Sequence, residues 1–257
     1  MHGVEDTLGA TRPTSVRQDS THQDSAYQDA AHQDAAHQDA ARDLLIEAAV
    51  RYAEDRHWEV AAGSWLIEDE GPLRCSCGDP GCPAPGAHPT TRDWARKASA
   101  GPGVVRRWWT ENPLASVLLP TGRAFDAIDV PEIAGCLALA RMERMGLQLG
   151  PVLAVPGGGA GTAGGGRRLV FLVLPGSLPK LPELLRRLGW GPGRLDLMGH
   201  GEGDWIVAPP TRVGTFGFAQ WAREPTTLNR WLPEATELIN PIAYACGREA
   251  PLTSPVS

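Results

Sequence analysis

The 257-residue sequence contains no apolar run long enough to cross a bilayer, and its N-terminus lacks the basic-then-apolar pattern of a secretory signal. It also lacks an excess of basic residues, since the formal net charge is −6. A broad nucleic-acid-binding surface usually needs such an excess. Cysteine is scarce, with five residues, and without a secretory signal this favours metal or packing roles over disulfides. These absences predict a cytoplasmic protein that does not bind membranes.

The acidic charge is concentrated at the N-terminus. Residues 1–41 contain seven acids and two bases, which leaves the rest of the chain close to neutral. Residues 17–41 carry a five-residue repeat, as in THQDS, AYQDA and AHQDA. A step of five residues advances by about 140° around a helix, so no continuous apolar stripe forms. We therefore predict a disordered tail over 1–41. The alternative is weak metal binding by the repeat histidines, His22, His32 and His37.

Periodicity predicts one folded region over residues 42–247, followed by a short tail (248–257). Helical spacing and capping signals predict helices near 42–57, 104–109, 131–145, 181–188 and 234–246. Apolar runs predict strands near 58–60, 115–122, 125–130, 149–156, 167–175, 194–198 and 204–210. Helices and strands are interspersed, and the strands of the second half form hairpin-like pairs. This pattern predicts an α+β fold of two packed modules with mixed or antiparallel sheets.

The segment RCSCGDPGCPAPGAHP lies in a loop over residues 74–90 and carries Cys75, Cys77, Cys82 and His88. Glycine and proline fill the gaps, so the loop has no apolar side chains that could hold its shape. Three thiolates and one imidazole form a closed tetrahedral ligand set for structural Zn²⁺, which would stabilise the loop. The alternative is an exposed loop with free thiols. We predict a structural zinc site.

The other cysteines and a tryptophan pair are predicted to have packing roles. Cys136 lies on the apolar face of a predicted helix, and Cys246 lies in the last helix. In the run RRWW (106–109), charge and aromatic rings could grip a nucleic-acid strand. Adjacent tryptophans on a short amphipathic helix more often face the core, and we expect at least one of them to be buried.

The acids in FDAIDVPE raise the question of a catalytic metal site. Asp126 and Asp129 are three residues apart, so a regular strand points them to opposite faces. Acids at a strand end can hold catalytic magnesium. Alternatively, Asp129 caps the helix that begins near Pro131, and Asp196 pairs with Arg194 on a solvated face.

The order of five motifs over residues 42–247 resembles the N-terminal domain of actinobacterial bifunctional DNA primase/polymerases, the Prim-Pol branch of the archaeo-eukaryotic primases. The motifs are CSCGDPGCPAPGAHP, RRWWTENPLASVLLPTG, FDAIDVPE, PGGG…GGGRRLVFLV and LDLMGHGEGDWIVAPPTR. The resemblance implies two α/β modules that enclose a cleft, the second similar to an RNA-recognition motif. It also implies template-directed nucleotidyl transfer with two Mg²⁺ or Mn²⁺ ions, and nucleotides and single-stranded DNA as partners.

The resemblance places the family's first metal-ligating acid on Asp129 and its later acid on Asp196. The second acid of the family's Asp-x-Asp pair falls on Pro131, which has no ligand atom. Two residues could substitute for this acid. A bulge could re-aim the side chain of Asp126, or Glu132 could reach back from the start of the helix. We therefore name Asp126, Asp129 and Asp196 as the candidate catalytic residues.

The family's phosphate-contacting histidine falls on Arg168, which can still bind phosphate through bidentate hydrogen bonds. Arg167 and Arg212 are candidate phosphate-binding neighbours. Two-metal transfer needs enough carboxylates to hold two ions about 4 Å apart, and only two stand where the resemblance expects them. Three functions follow: a primase/polymerase-like enzyme, a degenerate module that binds nucleotide or nucleic acid, or a zinc-stabilised interaction protein.

Overall fold

The structure, a computed structural model, describes residues 39–69, 71–157, 166–191, 193–226 and 230–249. The chain divides into two units, Met1–Ala41 and Arg42–Ser257. Residues 1–38 of the predicted disordered tail, most of the Gly-rich connection and the C-terminal residues from 250 lie outside the described residues. Residues 39–41 are helical, so the prediction of disorder is wrong for this end of the repeat. Within the described ranges, no helix is long and apolar enough to cross a membrane.

The helices and strands alternate along the chain. The helices are α1 (39–56), α2 (Trp94–Lys97), α3 (Pro102–Glu111), α4 (Glu132–Arg144), α5 (Leu181–Arg187) and α6 (Ala235–Glu249). The strands are β1 (Ala61–Ala62), β2 (Leu66–Ile67), β3 (Arg74–Cys75), β4 (Val117–Pro120), β5 (Asp126–Pro131), β6 (Val152–Val155), β7 (Arg168–Val173), β8 (Met198–His200), β9 (Trp205–Val207), β10 (Arg212–Val213), β11 (Gly217–Phe218) and β12 (Gln220–Arg223).

All described strand pairs are antiparallel. A five-stranded sheet has the order β12-β6-β7-β5-β8, and a three-stranded sheet has the order β1-β4-β9. Two short hairpins, β2-β3 and β10-β11, lie outside these sheets. The predicted α+β fold with antiparallel sheets is confirmed.

The five-stranded sheet separates two hydrophobic clusters, because alternate residues of a strand point to opposite faces. On β5, Ala127 packs into a cluster with α1, α3 and the three-stranded sheet. Its neighbours Ile128 and Val130 pack on the other face with α4, α5 and α6. Strands buried on both faces explain the nearly continuous apolar runs in the sequence.

Helix α3 begins with Pro102, whose fixed φ suits the first turn of a helix. Trp109 on this helix is 1% exposed, and its indole N–H donates to the Ala115 carbonyl at 2.9 Å. Trp108 is partly buried against the same cluster. The prediction that at least one of the two tryptophans is buried is confirmed.

The packing of helix α4 differs from the prediction at Cys136. Its buried face carries Ala134, Ala138 and Met142, whereas Cys136 is exposed. Cys136 lies two residues from Ala134 and from Ala138, which is about 200° around the helix. The prediction that Cys136 is a core residue is therefore wrong. Cys246, in α6, is buried as predicted.

Candidate functional site

The metal-ligating atoms of Cys75, Cys77, Cys82 and His88 all lie within 4.8 Å of one another. The β2-β3 hairpin positions the first of them, because Cys75 pairs with Leu66 in its ladder. The loop that follows brings the other three back to the same point. Three thiols and one imidazole at this spacing suit tetrahedral Zn²⁺ and leave no open coordination position. The group could therefore bind a metal such as zinc, as the sequence predicted.

The imidazole of His88 is oriented for metal binding through Nε2. Its Nδ1 lies 2.8 Å from the Pro89 carbonyl oxygen, which can only accept a hydrogen bond. Nδ1 therefore carries the proton, and Nε2 is free to ligate. Nε2 faces the Cys75 sulfur at 3.3 Å. A backbone carbonyl that fixes the tautomer of a ligating histidine is a common support for metal sites.

The thiols need a cation to ionise together. Burial raises the pKa of the Cys75 thiol, but N–H donors from Cys77 and Gly86 and the Ser64 side chain outweigh it and lower this pKa to about 6. Burial raises the pKa of Cys82 to about 12, helped by its hydrogen bonds to Cys77 and Cys75 and by the Cys75 charge. Bound Zn²⁺ would supply the positive charge that makes every thiolate favourable.

The metal loop is connected to the rest of the fold. The prediction that the loop has no apolar side chains to hold its shape is wrong, because Ala84 and Ala87 are buried in the cluster between the sheets. The Pro85 carbonyl accepts a hydrogen bond from Gly214 N–H at 2.9 Å, which joins the loop to the β10-β11 hairpin. Fixing this loop would therefore also fix its neighbours, so a metal bound here would have a structural role.

A second polar cluster lies on the five-stranded sheet, on the face towards the three-stranded sheet. Arg168 opens β7, and its Nε donates to the Asp129 carboxylate while Nη2 lies 3.3 Å from the Asp129 carbonyl oxygen. Both residues are buried, with exposures of 7% for Asp129 and 8% for Arg168. Val170 and Leu172, two and four residues after Arg168, pack on this same face.

Asp196 reaches the same guanidinium from the open side. Its Oδ1 lies 2.9 Å from Arg168 Nη1, and its side chain is 64% exposed. The predicted strand over 194–198 is wrong at this point, because β8 begins at Met198, where pairing with Asp129 starts. Asp196 therefore stands on the segment before the strand and covers the outward edge of the arginine.

His200 completes the cluster, and the sequence analysis did not select it. It lies opposite Ala127 in the β5-β8 ladder, and its Nε2 lies 3.3 Å from Asp129 Oδ2. Its sequence signal is weak: a histidine four residues after Asp196, between two glycines. Only the antiparallel register brings it to Asp129.

Asp126 points to the other face of the sheet, as the strand period predicted. It is 2% exposed, and its Oδ2 accepts hydrogen bonds from the N–H groups of Ser177 (2.9 Å) and Leu178 (3.2 Å). The predicted bulge that would re-aim it is absent from β5, whose ladder with β7 is continuous. Asp126 therefore holds the turn before α5, and it does not join Asp129.

The remaining predicted residues also have other partners. Glu132 pairs with Arg167 at 3.3 Å, where both side chains are about 40% exposed. Arg212 pairs with Glu68 beside the β2-β3 hairpin. Asp129 does not cap α4, since no side chain makes a capping hydrogen bond at its start. The structure brings together Asp129, Arg168 and Asp196, and leaves Asp126 and Arg212 elsewhere.

The electrostatics of the cluster are those of a charge-paired arginine. Burial lowers the pKa of Arg168, but the charges of Asp129 and Asp196 outweigh this effect and raise it. The guanidinium stands between the two carboxylates, where a divalent ion would otherwise balance their charge. With Arg168 there and Asp126 facing away, the acids of the described region do not suit a two-ion site.

The family model for the bifunctional DNA primase/polymerase N-terminal domain, Prim-Pol, matches residues 49–235. This match covers most of the chain, which therefore belongs to the Prim-Pol family. No curated protein and no solved structure matches the chain.

Proposed function

We propose that this chain is a DNA primase/polymerase-like domain that binds nucleotide phosphates through Arg168 and has lost two-metal nucleotidyl transfer. The observation that carries the proposal is the position of Arg168 between Asp129 and Asp196. Transfer by two ions requires carboxylates that are free to hold them. Here both carboxylates hold an arginine instead.

The open side of Arg168 offers a route for phosphate. Asp196 is the exposed partner of the guanidinium, and it contacts only the outward Nη1 nitrogen. An anion that displaces Asp196 would gain a charge-assisted hydrogen bond without disturbing the buried pair with Asp129. Arg167 immediately precedes β7, and its side chain, 43% exposed, is paired with Glu132.

The replacement Asp196→Asn tests the proposal by the sign of its effect. It removes the carboxylate that competes with phosphate for Arg168, so metal-free triphosphate should bind more tightly, by about fivefold for an exposed pair worth about 1 kcal/mol. Isothermal titration of the full chain with a nucleoside triphosphate in EDTA-free, metal-depleted buffer measures this change. Glu111→Gln, an exposed acid on α3, is the control and should bind as wild type.

Nucleotidyl transfer is the second candidate function, because Asp129 and Asp196 both contact Arg168 and His200 lies 3.3 Å from Asp129. If the chain performs nucleotidyl transfer, Asp196→Asn should change the affinity for triphosphate in the opposite direction. Wild type would then synthesise primers on single-stranded DNA, and Asp196→Asn would abolish this synthesis and weaken triphosphate binding in Mn²⁺. Primer synthesis that depends on Asp196 would overturn the proposed loss of chemistry.

A further inference from the structure

The Asp129 carboxylate is held at both of its oxygens, by residues from two different strands. Arg168 on β7 donates through Nε to Oδ1, and His200 on β8 has its Nε2 3.3 Å from Oδ2. An ionised carboxylate can only accept hydrogen bonds, so Nε2 of His200 carries the proton. In the part of the chain that the structure describes, no other donor reaches Oδ2. His200 is therefore the residue that fixes this second oxygen.

The backbone around His200 is fixed by contacts of its own. His200 lies opposite Ala127 in the β5-β8 ladder, and Asp129 is the next residue on the same face of β5. The carbonyl of the following residue, Gly201, accepts a hydrogen bond from the Thr121 hydroxyl at 2.6 Å. The His200 side chain is 15% exposed. Because its strand is anchored independently of Asp129, the imidazole can act as a fixed support for the carboxylate.

The orientation of the Arg168 guanidinium depends in turn on Asp129. Nε donates to the Asp129 carboxylate and Nη2 lies 3.3 Å from the Asp129 carbonyl oxygen, so one residue holds two of the three nitrogens. The third nitrogen, Nη1, faces the open side, where it meets Asp196 at 2.9 Å. Nη1 is the nitrogen that the proposed function assigns to phosphate. A rotation of the Asp129 carboxylate would therefore turn Nη1 away from the open side.

We infer that His200 is a positioning residue for the phosphate site, which keeps Nη1 of Arg168 directed outward by holding Oδ2 of Asp129. Without His200, the carboxylate has an unbonded oxygen and is free to rotate. The guanidinium follows it, because a charge-assisted hydrogen bond joins the two groups. A preorganised donor binds its ligand more tightly, since little ordering remains when the ligand arrives. This inference rests on the proposed function, and His200 acts through Asp129 without contacting phosphate itself.

Two replacements of His200 test this role by titration calorimetry of the full zinc-loaded chain with a nucleoside triphosphate in metal-depleted buffer. His200→Leu removes the donor to Oδ2 and should weaken binding about tenfold, as for one lost hydrogen bond to a charged group. His200→Gln is the matched variant, because its amide N–H₂ can donate in place of Nε2. It should bind within about twofold of wild type.

Two results of the titration would overturn the positioning role. One is wild-type affinity in His200→Leu. The other is equal weakening in His200→Gln, which would show that the imidazole matters through packing and not through its hydrogen bond. If His200→Leu does not fold, His200→Asn takes its place with the same expected loss, because its amide is one bond shorter than that of glutamine and does not reach Oδ2.

Solvent exchange of the Arg168 Nε–H separates this inference from the proposed function. Its NMR signal is assigned by its absence in Arg168→Lys. Exchange should be about tenfold faster in His200→Leu, because the pair opens more often, and as slow as wild type in His200→Gln. A wild type that binds no triphosphate would reject the proposed function, and the exchange rates would still decide the role of His200. Unchanged exchange in His200→Leu would contradict that role.

Discussion

Replacing Cys77 with serine is expected to remove the metal and destabilise the whole domain. Cys77 is exposed, so the substitution leaves no core cavity, and any loss of stability reports the missing ligand. Structural zinc sites supply about 10–16 kcal/mol of apparent binding free energy, and the loop they fix here contacts the cluster between the sheets through Ala84 and Ala87. We expect a loss of at least about 3 kcal/mol in the free energy of unfolding, or about 6–12 °C in Tm.

Metal analysis and thermal unfolding of the purified chain check this prediction. Wild type should carry about one zinc ion per chain, and Cys77→Ser should carry none. Cys136→Ser is the matched control, since Cys136 is also exposed and lies on α4, outside the ligand group. It should keep the metal and the wild-type Tm. A metal-free wild type with the same stability as Cys77→Ser would refute the structural zinc site.

Arg168→Met is expected to cost about 3–5 kcal/mol of folding stability, because it leaves the buried Asp129 carboxylate without its cationic partner. The methionine side chain retains most of the apolar length of arginine, so the loss reports charge more than packing. His200 remains as a hydrogen-bonding neighbour at 3.3 Å and compensates only in part. Urea unfolding followed by tryptophan fluorescence measures the change.

The neighbouring arginine supplies the control for this prediction. Arg167→Met breaks the pair with Glu132, in which both side chains are about 40% exposed, and exposed pairs contribute about 1 kcal/mol or less. Adding Asp129→Asn to Arg168→Met should recover much of the lost stability, because it removes the uncompensated buried charge. Equal costs for Arg168→Met and Arg167→Met would show that the buried pair has no special role.

Local patterns in the sequence predicted the parts of the protein that depend on local spacing. The four metal ligands lie within fourteen residues in a loop rich in glycine and proline, so their convergence followed from composition. The opposite directions of Asp126 and Asp129 followed from the two-residue period of a strand. The helix that starts after Pro131 and ends shortly before Gly146, whose φ is +67°, followed from proline and glycine signals.

Features that depend on long-range register could not be predicted in this way. Arg168 is separated by 39 residues from Asp129, and His200 by 71. Whether they meet is decided by how β7 and β8 align with β5, and a one-residue slip would turn each side chain to the other face. Cys136 was misplaced for a related reason. Apolar periodicity identifies an apolar helix face, but it does not tell which of two faces meets the sheet.

We propose that Arg168 stands in place of a metal ion between Asp129 and Asp196. Titration of the full zinc-loaded chain with Mn²⁺, with free Mn²⁺ followed by electron paramagnetic resonance, tests it most directly. We expect the signal of free Mn²⁺ to rise in proportion to the Mn²⁺ added, from the first addition. Asp196→Asn should behave as wild type. Tight binding of one or two Mn²⁺ ions per chain by wild type, lost in Asp196→Asn, would contradict the claim and restore a metal-dependent active site.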